Sequence, residues 1–260
     1  MRLPPFLSIL FMTVLLIACQ EQAQTEKAPP TEDATAFVDV TPDVDALLKR
    51  AENTLAGLSD FRYNALYSFK AANSGDTTHN VLTVLMRRAP DTDFGFKVFA
   101  RNYGGYHILY DGTEAFAGDP SSKKMKRIGT ERAPGDWVRK SFVGKAMIGI
   151  HHGSAIPAKI RESDNIRSLQ LEPAEWEGTP AQMLRMRFGA KGPVTGGTLE
   201  IVFRDSDALP VSVTETLQLE INGKQQTQFM STSYIEINLA PDFPRGQFSR
   251  EALPEAVTFE

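Results

Sequence analysis

The feature that most constrains the fold of this chain is a two-residue alternation of apolar and polar side chains, repeated in many short segments. It is clearest in the stretch DFRYNALYSFK, residues 60–70, where Leu66 is the one apolar residue among the polar positions. Successive side chains of a strand point to opposite faces, so this pattern predicts a strand with one buried face. The residues of that face are Phe61, Tyr63, Ala65, Tyr67 and Phe69.

Further segments of the same kind predict an almost entirely β protein. Asn222-Gly223 is the clearest hairpin turn between two of them. Strands and helices do not alternate, and no segment repeats at a spacing of 20–50 residues, so a parallel α/β fold and a solenoid are both excluded. The predicted strands cover residues 79–88, 93–101, three short strands within 106–128, and then 166–172, 181–188, 197–205, 210–221 and 224–238.

Two helices interrupt this pattern. In TPDVDALLKRAENTLAGLSD, residues 41–60, Thr41 is a good N-cap and Pro42 suits the first helical turn. Apolar residues follow at helical spacing. A second helix is predicted over residues 136–150, beginning at Gly135-Asp136. We therefore expect an α+β protein that is mainly β, a single domain over residues 42–260. Its curved antiparallel sheet would have both helices on the concave face.

The first 18 residues have the order of a secretory signal peptide. Arg2 gives a positive start, Phe6 to Ile17 is an apolar run, and small Ala18 ends it. The run is shorter than the roughly 20 residues that a membrane-spanning helix needs. An ordinary signal peptide is therefore one reading of residues 1–18.

Cys19 favours a more specific reading, because it is the only cysteine in the chain. Leu16-Ile17-Ala18-Cys19 resembles the bacterial lipobox, in which the cysteine sulfur receives a diacylglyceryl group and becomes the first residue after cleavage. The alternative is that the cysteine is incidental. We expect the covalent acyl lipid on Cys19, and no separate cofactor.

The segment after Cys19 has the composition of a tether. Residues 19–41 are rich in Gln, Glu, Thr, Ala and Pro, and such segments bury too little apolar surface to fold alone. We expect a cell-envelope protein facing the periplasm, and Gln20, where Asp would favour the inner membrane, points to the outer membrane. The net charge of −4 excludes the basic character of a nucleic-acid-binding protein.

Four stretches resemble the LolA/LolB-like lipoprotein-localisation family of the bacterial periplasm. They are LAGLSDFRY, HILYDGTEAFAGDPSSKKMKRI, VFRDSDALPVSVTET and EINLAPDFP, and the resemblance covers most of residues 43–245. It implies an unclosed β-barrel with helices over its mouth and an apolar cavity that binds acyl chains. It also implies a role in lipid or lipoprotein trafficking, with acyl chains or lipoproteins as cargo. LolB is itself a lipoprotein, in agreement with the reading of Cys19.

Apolar residues of the predicted strands and lid are candidates for the cavity lining, since ligand sites are concave and mostly apolar. The alternative for each is a place in a solid core. The candidates are Tyr63, Tyr67, Phe69, Phe94, Phe96, Val98, Tyr110, Phe116, Trp137, Phe142 and Met147.

The basic segment KKMKR is a candidate for contact with lipid headgroups. It contains Lys123, Lys124, Lys126 and Arg127, and each cation near an anionic lipid surface contributes about 1 kcal/mol. A solvated hairpin edge explains the same residues. The segment NYGGYH, residues 102–107, lacks the strand-to-helix setting of a phosphate-binding loop and reads as a tight bend or an exposed contact loop.

Neither a metal site nor an active site is expected. His151-His152 has no evident third ligand, and His79 and His107 are scattered. The acids around Trp176 read as surface groups at a strand end. We expect a protein that is not an enzyme, with acyl binding as the first hypothesis. A sensory or scaffold lipoprotein that uses its sheet for protein contacts is the second.

Overall fold

The computed structural model describes residues 41–128, 133–141, 165–253 and 258–259. The predicted signal peptide, Cys19 and the tether up to residue 40 lie outside these residues. So do two of the candidate lining residues, Phe142 and Met147, and the histidine pair His151-His152.

The strands form one 12-stranded sheet, in which neighbouring strands are antiparallel except for the short last one. The spatial order is β12-β6-β5-β4-β3-β2-β1-β11-β10-β9-β8-β7, so β7 and β12 end the sheet without pairing with each other. The strands are β1 (Asp60–Lys70), β2 (Thr78–Arg88), β3 (Phe96–Asn102), β4 (His107–Tyr110), β5 (Ala115–Asp119), β6 (Lys124–Ile128), β7 (Ile166–Trp176), β8 (Thr179–Phe188), β9 (Val194–Arg204), β10 (Pro210–Ile221), β11 (Lys224–Asn238) and β12 (Thr258–Phe259).

The first helix, α1 (Pro42–Gly57), forms as its sequence predicts. The Thr41 hydroxyl accepts a hydrogen bond from the Val44 backbone N–H, and the apolar stripe is buried. At its other end, the Arg88 guanidinium donates to the carbonyl oxygens of Leu55 and Leu58. These bonds satisfy carbonyls that a helix end leaves without partners, and they hold α1 against β2.

The second helix, α2 (Pro134–Lys140), differs from its prediction at both ends. It begins at Pro134, before the predicted start, because proline is favoured in the first helical turn. It ends at Lys140, since Ser141 takes an extended backbone and its N–H bonds back to Trp137 and Val138 carbonyls. A continuous helix over 136–150 is therefore wrong at Ser141.

Two strand predictions also needed correction. The predicted strand over residues 93–101 begins only at Phe96, because Gly95 has a left-handed backbone with φ of 79° and the Thr92 carbonyl and hydroxyl both bond its N–H. No strand is predicted after residue 238. Thr258–Phe259 instead adds β12, parallel to β6.

The core shows that the sheet curves. One apolar cluster contains Ile108 of β4, Tyr63 of β1 and Leu184 of β8, although these strands are far apart in the sheet order. Residues of α1, such as Leu48, belong to the same cluster. Strands from opposite halves of a sheet meet one helix only if the sheet wraps around it. The predicted curved, unclosed, mainly antiparallel sheet with helices on its concave face is confirmed.

A second cluster lies on the other face of the same sheet. Phe99, Leu109, Phe116 and Met125 alternate with residues of the first cluster along their strands. They are covered by the segment after β11, residues 239–253, which contributes Phe243, Phe248 and Leu253. One half of the sheet, β2 to β6, is therefore apolar on both faces.

Candidate functional site

We call the face of the sheet that α1 covers the inner face. It has two parts that differ in packing. Near β1 to β5 it is an aromatic cluster buried by α1 and α2. Across β7 to β11 and the end of β1, buried residues such as Met186 are accompanied by apolar residues that are only partly buried, such as Leu199 and Met230.

The aromatic cluster contains most of the residues proposed from the sequence to line a cavity. Tyr63 stacks on Phe61 at 6.1 Å between ring centroids and meets Tyr234 edge-on at 5.4 Å. Phe94 contacts Phe96 and Tyr110 edge-on, at 6.2 and 6.1 Å. Tyr63, Val98 and Tyr110 have no exposed surface. These side chains contact one another and form a packed core within the described residues.

The Tyr63 hydroxyl is fully buried and has no hydrogen-bond partner among the described residues. Burial, and then the neighbouring Tyr234, raise the pKa of Tyr63 well above its ordinary value. The hydroxyl therefore stays protonated at any physiological pH. Leaving a buried hydrogen-bond donor without a partner costs about 1–3 kcal/mol. The Tyr63 hydroxyl therefore reduces the stability that the aromatic cluster contributes.

Asp93 joins the aromatic cluster to α2. Its carboxylate accepts hydrogen bonds from the Tyr110 hydroxyl and from the Gly135 backbone N–H, the latter at 3.0 Å. Arg139 of α2 donates to the Asp93 carbonyl oxygen at 3.1 Å and lies over the Phe94 ring. Burial, followed by the bond to Asp93, raises the pKa of Tyr110 above its usual range. These contacts hold the start of α2, and Trp137 with it, against the inner face.

Phe116 is the one described candidate that the structure places elsewhere. It lies in the cluster on the outer face, while its neighbours Ala115 and Ala117 point inward. Arg250 covers its ring at 4.6 Å. The sheet thus separates Phe116 from the other lining candidates.

The partly buried part of the inner face contains a lateral row of side chains that crosses six strands. Each member is the register partner of the next, so all point to the same face. We call this set the inner row. It consists of Leu169, Met186, Leu199, Glu215, Met230 and Phe69, on β7, β8, β9, β10, β11 and β1.

The inner row offers apolar surface that the core does not fully cover. Leu169, Leu199, Met230 and Phe69 pack against the main core yet remain partly exposed. Strands lie about 4.8 Å apart, so a row over six strands is about 24 Å long. One acyl chain spans half of a hydrocarbon core of about 30 Å, so the row is long enough to contact a whole acyl chain.

One polar position interrupts the inner row. The Glu215 carboxylate lies between Leu199 and Met230 and near the hydroxyl of Tyr67. Burial, and then the charge of Glu215, raise the pKa of Tyr67 to about 12. Tyr67 therefore keeps its proton at neutral pH and can donate a hydrogen bond. This combination of one donor and one acid within apolar surface suits a ligand with a long apolar part and a small polar part.

A cleft of about 510 Å³ lies between the first turns of α1 and strands β7 and β8. Leu47 and Leu171 form its apolar side, and Arg50, Glu172 and Asp205 its polar side. The Arg50 guanidinium donates to the Asp205 carbonyl oxygen at 2.6 Å, which joins α1 to the β9–β10 turn. Leu171 is the neighbour of the inner-row residue Leu169 on the same face, so the cleft gives access to the inner face beside α1.

The residues proposed for headgroup contact lie on the hairpin of β5 and β6. Lys123, Lys124 and Lys126 are exposed there. Arg127 is engaged differently, in an ion pair of 2.8 Å with Glu114, which also pairs with Arg250. Glu114 thereby connects Arg127 of β6 with Arg250 in the segment after β11, whereas the three lysines lie at or near the turn.

Residues considered for metal binding or catalysis have ordinary partners where they are described. His79 shares a hydrogen bond with Ser68 at 2.9 Å, and a His107 ring nitrogen lies 2.8 Å from the Gly105 carbonyl oxygen. Glu172 forms an ion pair with Arg185. No group of three or more potential metal ligands occurs among the described residues.

The inner row was largely missed by sequence reasoning, which identified only Phe69 from it. The signal was available, because Leu169, Leu199 and Met230 all occupy apolar positions in predicted strands. Most of the lining candidates are aromatic, and the structure buries several of them, such as Tyr63 and Tyr110, in the packed aromatic cluster. Which face is left partly uncovered depends on where α1 lies, and alternation alone does not give that position. Of the helices described, none is both long and apolar enough to pass through a membrane.

No protein-family profile and no curated protein sequence matches this chain. Its fold is similar to that of a DUF1329 family protein from Desulfovibrio piger, with 13% identity and a TM-score of 0.35 over 82% of this chain and 100% of that one. A LolA superfamily protein from Nitrosomonas europaea has 13% identity and a TM-score of 0.35, over 80% and 98% of the two chains. LprF from Mycobacterium bovis has 8% identity and a TM-score of 0.40, over 78% and 97%.

A putative outer membrane lipoprotein-sorting protein domain from Vibrio parahaemolyticus also matches, with 12% identity and a TM-score of 0.34 over 79% of this chain and 97% of that one.

Proposed function

We propose that this protein is a lipid-anchored protein of the bacterial envelope that binds acyl chains, alone or as part of lipoproteins, on the inner face of its sheet. Binding is noncovalent and the protein catalyses no reaction. A role in lipid or lipoprotein trafficking follows if the bound cargo is passed on. The printed descriptions of its structural neighbours, which include lipoprotein-sorting and LolA superfamily proteins, agree with this proposal.

The observation that carries the proposal is the inner row. It is a largely apolar strip about 24 Å long. Its partly buried members include Leu169, Leu199 and Met230, and Leu169 is two residues from Leu171, which lines the cleft beside α1. Each CH₂ group that leaves water contributes about 0.8 kcal/mol. An acyl chain along this strip would therefore bind through burial, and methionine would let the surface adapt to it.

The test is acyl uptake by two matched double variants. The inner-row variant is Leu199→Gln with Met230→Gln, and its control is Leu66→Gln with Val81→Gln, two register partners on the outer face that are 40% and 44% exposed. Native mass spectrometry with palmitate should show saturable uptake by the parent and the control. The inner-row variant should bind about tenfold more weakly or worse.

Two results would contradict the binding site. One is equal affinity in all three proteins. The other is that the purified parent takes up no acyl chain at all. Far-UV circular dichroism and urea unfolding of the inner-row variant must show a folded protein, so that weaker uptake reflects the surface and not the fold.

The lipid anchor is the second element of the proposal. Cys19 follows a lipobox-like sequence, and residues 19–41 would link it to the folded part. We expect the chain to incorporate labelled palmitate in a Gram-negative host and to fractionate with the outer membrane. Cys19→Ser should remove the label and release the protein from membranes. Label retained in Cys19→Ser would show that the lipid is elsewhere.

A second candidate function is favoured by the aromatic cluster. Because Tyr63, Val98 and Tyr110 are fully buried, this part of the inner face is already filled by the chain itself. A sensory or scaffold lipoprotein would need no more than such a core, with its sheet used for protein contacts. One structural neighbour, MucB, was solved in complex with MucA. Absence of acyl uptake together with stable capture of a periplasmic protein would favour this function.

A further inference from the structure

Every second connection of the sheet lies at the same edge, because the strands are antiparallel. At one edge these connections are five hairpin turns, about 10 Å apart if strands are about 4.8 Å apart. We call this edge the basic rim. It comprises residues 71–77, 103–106, 120–123, 189–193 and 222–223, the two strand residues on either side of each turn, and the first two residues of β7.

The basic rim carries eight Lys or Arg residues and three Asp or Glu residues. The cations come from all five turns and from β7, so they are spread along the edge. The basic residues are Lys70, Arg101, Lys123, Lys124, Arg167, Arg187, Lys191 and Lys224, and the acidic residues are Asp76, Asp119 and Glu220.

The opposite edge, bounded in the same way, has the opposite charge. It comprises the connections 58–59, 89–95, 111–114, 177–178 and 205–209 with their flanking strand residues, and the last two residues of β6 and β11. Its acids outnumber its bases by nine to five. The acidic residues are Asp60, Asp91, Asp93, Asp111, Glu114, Glu175, Glu177, Asp205 and Asp207, and the basic residues are Arg87, Arg88, Lys97, Arg127 and Arg204.

The cations of the two edges also differ in their partners. At the acidic edge Arg87 pairs with Asp60, Arg127 with Glu114, and Arg204 with Asp207. Most rim cations, by contrast, form no ion pair with another described residue. These are Lys70, Arg101, Lys123, Arg167, Arg187 and Lys224.

We propose that the basic rim docks the folded domain onto an anionic lipid surface, which fixes how the inner face is presented to the membrane. The partner is a lipid surface because a row of unpaired cations about 10 Å apart fits a plane of many phosphates. Tyr103, at the tip of the β3–β4 turn, is 95% exposed, and tyrosine is favoured at the membrane–water interface. This inference rests on the proposed lipid anchor, which would hold the domain near a membrane.

The experiment uses the chain from residue 19 onward with Cys19→Ser, which keeps every described residue and removes both the first 18 residues and any lipid. Its binding to phosphatidylcholine vesicles is compared with binding to vesicles containing phosphatidylglycerol, by co-sedimentation. The rim variant is Lys123→Gln, Arg187→Gln and Lys224→Gln, on three different turns. The matched control, away from the rim, is Lys49→Gln, Lys140→Gln and Arg245→Gln, with the same change in net charge.

We expect the parent to bind only the anionic vesicles, and less at high salt. Each cation near the surface contributes about fivefold in affinity, so the rim variant should lose about a hundredfold and the control much less. Equal loss in both variants, or equal binding to neutral vesicles, would overturn the proposal. Palmitate uptake, measured on the same proteins, should be unchanged in the rim variant. A parent that binds vesicles but no palmitate would refute the acyl-binding function and leave the rim standing.

Discussion

At the scale of single residues, ion pairs and close contacts at the edges of the sheet hold the connections in place. Asp207, in the β9–β10 turn, is the clearest case. Its carboxylate accepts hydrogen bonds from the Arg204 guanidinium and, at 3.1 Å, from the Leu209 backbone N–H. The backbone carbonyl oxygen of Asp207 also accepts a hydrogen bond from the hydroxyl of Thr54 on α1. The turn is thereby connected to the helix that covers the inner face.

The protonation of Asp207 should make stability depend on pH. Burial by itself raises its pKa, but the bonds from Arg204 and Leu209 outweigh this and the pKa of Asp207 lies below its ordinary value. The unfolded chain therefore binds this proton more readily than the folded one. The resulting stabilisation is complete above about pH 4 and is lost as the pH falls through the folded-state pKa.

Asp207→Asn should therefore lower the free energy of unfolding by about 1–2 kcal/mol at pH 7. The difference from the parent should shrink as the pH falls below about 4. Urea unfolding at a series of pH values measures both. Asp205→Asn is the control, because its exposed side chain has no such bonds and should leave stability unchanged. A constant difference at all pH values would contradict this account.

A second residue-scale prediction concerns Gly118 on β5. A Cβ atom there would lie 2.6 Å from the Lys124 carbonyl oxygen and 3.1 Å from the Met125 Cα, both backbone atoms of β6. Because backbone moves less readily than side-chain ends, Gly118→Ala should cost about 1–3 kcal/mol. Gly57→Ala, with nothing within 4 Å, should cost nothing. The midpoints of thermal unfolding of the two variants measure this difference. Equal midpoints would contradict the close approach of β6 to Gly118.

At the scale of elements, α1 both covers the inner face and limits the room left on it. Leu48 is 2% exposed in the main core, whereas Glu52 on the same helix is exposed. Leu48→Ala should therefore cost about 2–5 kcal/mol, and Glu52→Ala should change stability by less than about 0.5 kcal/mol. Urea unfolding measures the free energy of unfolding of both variants. A similar decrease in the two would show that α1 does not pack as described.

The elements also show what could be predicted from the sequence. Strand alternation and helical spacing are local, so α1, β1 and the Asn222-Gly223 hairpin were predicted correctly. Local rules failed where a single backbone conformation decides, as at Gly95 and Ser141. They also could not tell core from surface on the inner face. That distinction depends on contacts between α1 and strands far apart in the chain. Candidates such as Tyr63 and Tyr110 are fully buried, whereas Phe69 is only partly buried.

At the scale of the whole folded part, curvature and charge give the sheet two different edges and two different faces. Curvature gathers residues of β4, β1 and β8 around α1, and the antiparallel order sends alternate turns to opposite edges. One edge is basic and the other acidic, with the cleft at the acidic one. Phe69 of the inner row also lies in the basic rim, so proposed binding of cargo and proposed docking would use adjoining parts of one sheet.

A crystal structure of the protein grown with palmitate would show whether hydrocarbon binds along the inner row. We expect continuous density for the acyl chain against Leu169, Leu199 and Met230. An inner face filled entirely by the protein's own side chains, with palmitate absent or bound elsewhere, would contradict it.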